Sequence, residues 1–327
     1  MTTPAFRIVA GGSDITPTLN KYLVSLRLTD KTGLEADQLE IEIADEAGEI
    51  ALPPPGITLQ VWIGYRDALV DKGTYIVDQV RDSGSPDKIT ITAHSADFQG
   101  AFKVQREQSY HGNTLGDILR TIADRQNLKP AIEPGLAAIA IDHIDQTNES
   151  DINFLTRLGK DYDAIATVKA GHLLFIPLGY NKTVSGIALP AITVHRSEGD
   201  QHDFTLSARD ADITGVRGKW RDKSGNQNRY STAGEGPNWK TLKREYPNAS
   251  QAFHAAKTAW ANLKRGKREI SLSIAMGRAD IAAGRLLQLS GWKQQITDVT
   301  WVINEVTHSL NDSGFTTSLN SVERVSI

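Results

Sequence analysis

Short alternations of apolar and polar residues, separated by turn-forming sequences, run through the first hundred residues and constrain the fold more than any other feature. In residues 38–44, Leu39, Ile41 and Ile43 alternate with polar or small side chains, which is the pattern of a half-buried strand. Similar branched and aromatic residues mark residues 22–28, 57–63, 74–80 and 89–93. Turns containing glycine or proline separate these segments at residues 30–33, 53–56 and 83–86. Strands so short and so closely spaced predict an antiparallel barrel or sandwich.

The sequence changes character after the first hundred residues, where helical periodicity begins. Thr114 is placed to cap a helix whose apolar stripe is formed by Leu115, Ile118, Leu119 and Ile122. Ser150 is placed to begin a second short helix whose inward residues are Ile152, Leu155 and Leu158. Residues 164–168 and 172–176 then form a predicted hairpin around residues 169–171. The middle region is therefore predicted to be α+β.

The last third of the chain returns to a strand pattern. Candidate strands lie at residues 213–220, 269–274, 286–289, 300–306 and 315–322. One amphipathic helix over residues 250–264 interrupts them, with Phe253, Ala256, Trp260 and Leu263 on its predicted inward face. Residues 221–238 are polar and contain glycine, and we expect a mobile loop there. The order is thus β, then α+β, then β, and the fold class is mainly β with α+β.

Length and composition exclude several classes of protein. A chain of 327 residues predicts two or three domains, and a net charge of -3 gives no global attraction to nucleic acid or anionic membranes. Disulfides, thiolate nucleophiles and cysteine metal ligands are excluded because there are no cysteines. The N-terminus has no signal-peptide pattern, and no apolar run approaches the roughly 20 residues of a membrane helix. We expect a soluble protein made in a reducing cytoplasm, without membrane insertion.

Residues 195–203, HRSEGDQHD, form the strongest candidate for a metal site. The nitrogen and oxygen ligands available there are His195, Glu198, Asp200, His202 and Asp203. Their spacing matches no familiar zinc signature. The pattern therefore favours a solvated loop between domains, and whether His195–Asp203 binds a metal stays open.

Two acidic clusters resemble parts of hydrolytic sites but have simpler explanations. His143 lies between Asp142 and Asp145, yet in an extended segment His143 and Asp142 point to opposite faces. Glu149 and Asp151 could form the carboxylate pair of a glycoside hydrolase, which requires a defined separation across a sugar cleft. Both also flank Ser150, where acidic groups favour the start of a helix. We predict no catalytic residues here.

The remaining candidates are basic residues, tryptophans and glycines. The cations Lys264, Arg265, Lys267 and Arg268 lie at a predicted helix C-terminus, where positive charge is favourable, and lack interleaved aromatics. Core or interface packing is the favoured use of Trp220, Trp239, Trp260, Trp292 and Trp301, over a sugar-binding platform. Gly215 and Gly218 lie in a strand-like run rather than before a helix. No nucleophile elbow or phosphate loop is present. We therefore predict no catalytic, cofactor-binding or metal residues, no cofactor and no specific nucleic-acid partner.

A series of motifs in the first 180 residues matches one family pattern in order and spacing. Residues 28–45, LTDKTGLEADQLEIEIAD, fit it at Asp30, Gly33, Asp37, Leu39, Ile41, Ile43 and Asp45. Further matches are LPPPGITLQVWIG at residues 52–64, residues 72–78, 93–97, 108–110 and 114–119, and QTNESDINFLTRL at residues 146–158. These stretches resemble the phage late-control D family, which are baseplate hub proteins of contractile tails. The family is similar in fold to the N-terminal half of type VI secretion spike proteins.

The resemblance implies an architecture rather than a reaction. It implies two small antiparallel β-barrel domains, at residues 1–104 and 201–327, bridged by an α+β domain at residues 105–200. Three copies would form a ring whose six barrels adapt a sixfold tail tube to a threefold spike. The implied protein is a non-enzymatic virion subunit, a homotrimer that binds the spike, the tail tube and baseplate proteins. Assembly in the bacterial cytoplasm would place it in the tail baseplate of a phage or tail-like particle.

Two other functions are alternatives to the hub. A tail-associated peptidoglycan hydrolase would need paired carboxylates in a cleft. The base of a secretion-system spike would need its spike as a separate chain, because no glycine-valine repeat follows here. Charge adds one hint about assembly: residues 1–100 contain 15 acidic and 8 basic side chains, whereas residues 213–270 contain 13 basic and 4 acidic. Opposite charges on neighbouring subunits would favour ring closure, although separate solvated faces explain the same numbers.

Overall fold

The computed structural model describes residues 3–95, 100–169, 171–182, 187–208, 212–222, 225–265 and 267–325. It is mainly β with a few helices, as predicted. Asp97 in the family motif at residues 93–97, and Ala170 in the predicted hairpin turn, lie outside the described residues.

Eight elements occupy the first 95 residues. They are β1 Pro4–Ala10, β2 Ser13–Asp14, α1 Thr16–Tyr22, β3 Leu23–Lys31, β4 Gln38–Ala44, β5 Thr58–Tyr65, β6 Ala68–Ser83 and β7 Lys88–Ser95. The predicted strand at residues 38–44 is confirmed, and its apolar residues are buried in alternation. The strand predicted from residue 22 begins one residue later, because Tyr22 ends the short helix α1.

The middle of the chain is α+β, as the periodicity predicted. A 3₁₀ turn at Gly100–Lys103 precedes β8 Gln105–Thr114, α2 Leu115–Arg125, β9 Lys129–Ile132, α3 Pro134–Ala137, β10 Ala140–Ser150 and α4 Asp151–Tyr162. Then follow β11 Ala164–Lys169, β12 His172–Pro177, β13 Ile192–His195 and β14 Gly199–Leu206. Both predicted caps are confirmed: Thr114 forms a capping box with Asp117, and Ser150 accepts a hydrogen bond from the Asn153 amide.

The last third contains the remaining strands and the longest helix. The elements are β15 Gly215–Asp222, β16 Gln227–Gly234, β17 Trp239–Tyr246, α5 Ala249–Arg265, β18 Arg268–Ile274, β19 Leu286–Ser290, α6 Gln294–Thr297, β20 Thr300–Asn311 and β21 Gly314–Glu323. The prediction of a mobile loop at residues 221–238 is wrong, because β16, which lies within this range, pairs with β15. Lys223 and Ser224, at the turn, lie outside the described residues.

The chain divides into two compact units, each built from separate stretches of sequence. Unit 1 comprises Met1–Phe98, Ala191–Asp203 and Ile270–Ser321. Unit 2 comprises Gln99–Pro190, Phe204–Glu269 and Val322–Ile327. The three continuous domains expected from sequence stay a prediction.

Unit 1 is organised by one 13-stranded sheet. Its main path runs β14-β18-β21-β20-β3-β4-β7-β6-β5-β1-β2, and β19 joins β13 to β20. Strands from the two ends of the chain meet where β3 pairs antiparallel with β20, for example Leu26 with Leu310. Buried residues of β3, β4, β5 and β7 form the main core together with Leu310 and Phe315. The first β region of the sequence and strands β18–β21 of the last one are therefore parts of the same sheet.

Unit 2 contains three small sheets and the longer helices. Strands β8 and β10 pair antiparallel, β9 joins the predicted β11–β12 hairpin in parallel, and β16-β15-β17 form a third sheet. Helix α5 packs on this third sheet through Ala252, Ala255 and Ala256. Phe253 was predicted to face inward, but it is 43% exposed. The small alanine side chains allow the helix to lie close to the sheet. The buried face of α5 is therefore formed by these alanines rather than by Phe253.

Candidate interaction surfaces and polar sites

Asp151 lies at the start of α4 and is fully buried in a network of hydrogen bonds. Its carboxylate accepts from Arg125 Nη1 and Gln126 Nε2, each at 2.8 Å, and from Gln146 Nε2 at 2.9 Å. Arg106 Nε lies 3.4 Å away. Because these partners come from α2, β8 and β10, the buried carboxylate links four elements of unit 2. A buried charge so fully paired is a structural group.

Glu149 is held away from Asp151 by a different arginine. Arg157 Nη2 lies 2.7 Å from Glu149 Oε2, and the same atom donates to the Asp145 carbonyl at 2.7 Å. The Arg157 guanidinium also lies 4.8 Å from the Phe154 ring centroid. The two carboxylates considered for sugar hydrolysis are thus each engaged by separate cations, and the geometry gives no reason to assign them that chemistry.

His143 is stacked on a histidine that sequence analysis did not single out. His111 lies opposite it on β8; the ring centroids are 4.5 Å apart, and the two Nδ1 atoms are 3.1 Å apart. Asp145 Oδ2 lies 3.0 Å from His143 Nε2, and Ser109 donates to Asp145 Oδ1 at 2.6 Å. The hydrogen bond from Ser109 lowers the pKa of Asp145 below its usual value. His111 was missed because β8 was not predicted as the partner strand.

The predicted alternation along this segment is confirmed. Asp142 points away from the histidine pair and accepts a hydrogen bond from Asn248 Nδ2 at 2.6 Å. His143, Asp145 and Asp142 are therefore not gathered around one point. The arrangement is a surface cluster on the β8–β10 ribbon.

Residues 195–203 comprise the end of β13, a turn at residues 196–198 and the first part of β14, so the predicted loop is confined to the turn. The side chain of Asp200 lies outside the described part of the structure. The His195 amide donates to Glu198 Oε1 at 2.9 Å, and Glu198 Oε2 lies 3.3 Å from Arg278 Nη1. The Trp292 ring lies beside both Arg196 and His202. Glu198 is thus used to fix a turn, and within the described residues no group of three or more His, Asp or Glu side chains is arranged to hold a metal.

The basic residues at the end of α5 are separated by their contacts. Arg265 is buried and forms a two-pronged ion pair with Asp163, with Nη1 2.6 Å from Oδ1. Lys264 Nζ lies 4.9 Å from the Trp260 ring, and Arg268 Nη1 lies 2.8 Å from Glu323. Arg265, Lys264 and Arg268 therefore each have a different local contact and do not form a common basic surface.

The tryptophans also occupy separate environments. Trp301 is fully buried and donates from Nε1 to the Ile296 carbonyl at 3.1 Å. Trp220 packs with Tyr246 and the alanines of α5, and Trp239 lies against Gly215. Each of these three tryptophans makes packing contacts within its own unit.

Unit 2 contains a cavity of about 440 Å³, a volume in the range of small-molecule sites. Its lining combines apolar side chains from α3 and the end of β12 with His254 and Lys257 of α5. Burial, and secondarily the charge of Lys257, lowers the pKa of His254. Burial also raises the pKa of Tyr162 far above its usual value. Both side chains are therefore neutral at pH 7.

Comparison with known proteins gives a consistent result. The model of the phage tail baseplate hub (GPD) family matches residues 22–314. The protein named as probable baseplate hub of Escherichia phage P2 is 40% identical, over 99% of this chain and 94% of its own length. The 43 kDa tail protein of prophage MuSo2 from Shewanella oneidensis has a similar fold, with a TM-score of 0.72, 14% identity and 98% of both chains covered.

A similar fold also occurs outside phages. A component of the type VI secretion system of E. coli, c3393, aligns with a TM-score of 0.58 and 11% identity. The alignment covers 93% of this chain and 74% of that one. At this identity the likeness concerns the fold alone.

Fold and relatives together define a component of phage tails. The chain belongs to the phage tail baseplate hub family, as the sequence resemblance indicated. Its relatives are structural proteins. Among the described residues, no helix is both long and apolar enough to cross a membrane.

Proposed function

We propose that the chain is the hub subunit of a contractile tail and acts as a homotrimeric ring. In this role it joins a sixfold tail tube to a threefold spike, holds the channel between them and transmits force to the spike. Its partners are two other copies, the spike, the tail tube and neighbouring baseplate proteins. It acts mechanically rather than as an enzyme, and it assembles in the host cytoplasm before taking its place in the virion baseplate.

The observation that best supports this proposal is the joint sheet of unit 1. Strands β3–β7 and strands β18, β20 and β21 form two groups that meet side by side at the β3–β20 pair. Each subunit thus carries two β groups in a fixed lateral relation. Three such subunits have six, which is the number required to face a sixfold tube. A single-site enzyme has no need for this duplication.

Absolute mass tests the proposal. Light scattering of the purified protein, alone and mixed with the spike protein of the same tail, should give three times the 35.7 kDa subunit mass or a three-to-three complex. A mass of one subunit in both samples would contradict the ring. A zymogram against purified cell wall is the companion test, and we expect no cleared band.

A further inference from the structure

Helix α5 covers one face of the sheet β16-β15-β17 of unit 2. Val216 and Trp220 of β15 pack against α5. Gly218, between them, lies so close to α5 that an added Cβ atom would be 2.7 Å from the Ala252 carbonyl oxygen. Successive side chains of a strand alternate between faces. Arg217, Lys219 and Arg221 therefore lie on the opposite face, which we call the basic face.

Contacts across the strands hold the basic face in a defined arrangement. The Arg217 guanidinium lies 4.5 Å from the Tyr230 ring centroid, and its Nε donates to Thr241 Oγ1 at 2.8 Å. Lys219 Nζ lies 3.1 Å from Glu245 Oε2. Because these side chains are already ordered by neighbouring strands, less conformational entropy is lost when a partner binds.

The basic face carries an excess of positive charge. Its cations are Arg217, Lys219, Arg221 and, exposed on β17, Lys243, whereas Glu245 is the one carboxylate that pairs with any of these four within the described residues. Tyr230 adds an aromatic ring that is 46% exposed. Arginine and tyrosine are the residues that interfaces favour, so the composition suits an acidic protein surface.

Unit 1 of the same chain has a surface of the complementary charge. The exposed carboxylates Glu46 and Glu49 follow β4, the exposed Asp82 lies at the end of β6, and the exposed Asp87 lies in the turn before β7. The Asp45 amide donates to the Asp87 carbonyl at 3.0 Å, which brings the two turns together. No ion pair in the described part of the chain engages these four carboxylates, and we call them the acidic rim.

We propose that the basic face of one subunit docks against the acidic rim of a second copy. A closed ring of identical subunits uses heterologous contacts, in which two different patches of the chain meet. One basic patch and one acidic patch per chain satisfy this requirement, and complementary charge fixes which patches meet. The inference rests on the proposed ring and names the surfaces that close it.

Charge reversal and charge exchange test the pairing. In the R217E/R221E variant, carboxylates of two subunits would face each other. We expect the dissociation constant of this variant's oligomer to be at least about tenfold higher than that of the wild-type oligomer. Adding Glu46→Lys and Glu49→Lys to the same chain should restore association, because each altered patch then meets an altered partner. Sedimentation velocity over a dilution series, with the spike protein present if the ring requires it, measures both.

The matched control is Lys103→Glu with Lys129→Glu, which changes net charge equally at exposed positions outside both patches. Circular dichroism melts establish that every variant is folded. Association of R217E/R221E at wild-type strength, or failure of the four-site variant to recover, overturns the pairing while leaving the ring intact. A monomeric wild type, with and without spike, overturns both. Loss of DNA oligonucleotide binding in R217E/R221E without any change in association would instead identify a nucleic-acid surface and overturn the pairing.

Discussion

His308 is a buried histidine whose protonation is unfavourable in the folded protein. It is fully buried in unit 1, with Nε2 3.0 Å from Lys72 Nζ and Nδ1 3.0 Å from Thr317 Oγ1. Nε2 also lies 3.2 Å from the Ile281 carbonyl oxygen, which accepts from Lys72 Nζ at 3.3 Å. A second positive charge on the imidazole, buried and beside the Lys72 ammonium, is unfavourable. Burial, and secondarily the charge of Lys72, lowers the pKa of His308 to about 3.

The lowered pKa of His308 predicts acid sensitivity. Between pH 6.5 and about 3 the unfolded chain binds a proton at this histidine that the folded chain does not. The free energy of unfolding should therefore fall as pH drops below 6.5, by up to about 1.4 kcal/mol per pH unit from this group. Urea unfolding at pH 7.5 and 5.5 should show a smaller loss for His308→Gln than for wild type. His195→Gln, at an exposed histidine, should retain the wild-type loss, and equal losses in all three proteins would refute the assignment.

Asp163 balances a buried cation in unit 2. It ends α4 in a left-handed conformation, with φ at 53°, and pairs with the buried Arg265. Asp163→Asn keeps a residue that tolerates this backbone but leaves the guanidinium without its counter-charge. We expect a loss of about 3 kcal/mol in the free energy of unfolding, measured by denaturant titration. Glu35→Gln at the exposed Lys31 pair should cost under about 1 kcal/mol; a similar cost at both sites would contradict this account.

At the scale of elements, local signals predicted local structure well. The starts of α2 and α4 were predicted because a cap is a short-range hydrogen bond between neighbours, and Thr114 and Ser150 make those bonds. The strand at Gln38–Ala44 was predicted because one of its faces is buried and the other is polar. In these cases the residues that determine the element lie within it.

Strands β16 and β17 were missed because their stability comes from elsewhere. Their sequences, QNRYSTAG and WKTLKREY, are largely polar and lack an apolar alternation. They become strands by pairing with β15, while α5 covers Ala233 and Leu242. The inward side of α5 was partly misjudged for the same reason: close approach to the sheet selects alanines rather than Phe253. Neither these strands nor the buried face of α5 can be predicted from sequence without knowing which elements pack together.

Gly218 tests how close α5 lies to its sheet. A Cβ at this position would lie 2.7 Å from the Ala252 carbonyl oxygen, so the helix must move or the backbone must strain. We expect Gly218→Ala to lower the free energy of unfolding by about 1 to 3 kcal/mol. The control Gly199→Ala meets Trp292 at 3.5 Å, an ordinary contact, and should cost less. Denaturant unfolding of both variants compares them, and an unaffected Gly218→Ala would mean that the packing is looser than described.

At the scale of the whole molecule, composition and periodicity could not have revealed the central sheet. The β3–β20 pair joins residues more than 270 positions apart, and no local pattern specifies that partner. The charge contrast between residues 1–100 and 213–270 was visible in the sequence. Its division into a basic face and an acidic rim depends on strand register and on the turns that gather the carboxylates. The charged segments can thus be identified from the sequence, but the surfaces that they form depend on contacts between strands and turns.

Electron cryo-microscopy of the purified protein in complex with its spike tests the central claim most directly. We predict a threefold ring, coaxial with the spike, whose opposite side shows six β lobes at nearly equal spacing, two from each subunit. The joint sheet of unit 1 supports that spacing, because it fixes the two β groups of one chain side by side. A particle with three lobes on that side, or spike bound by a single copy, would contradict the account.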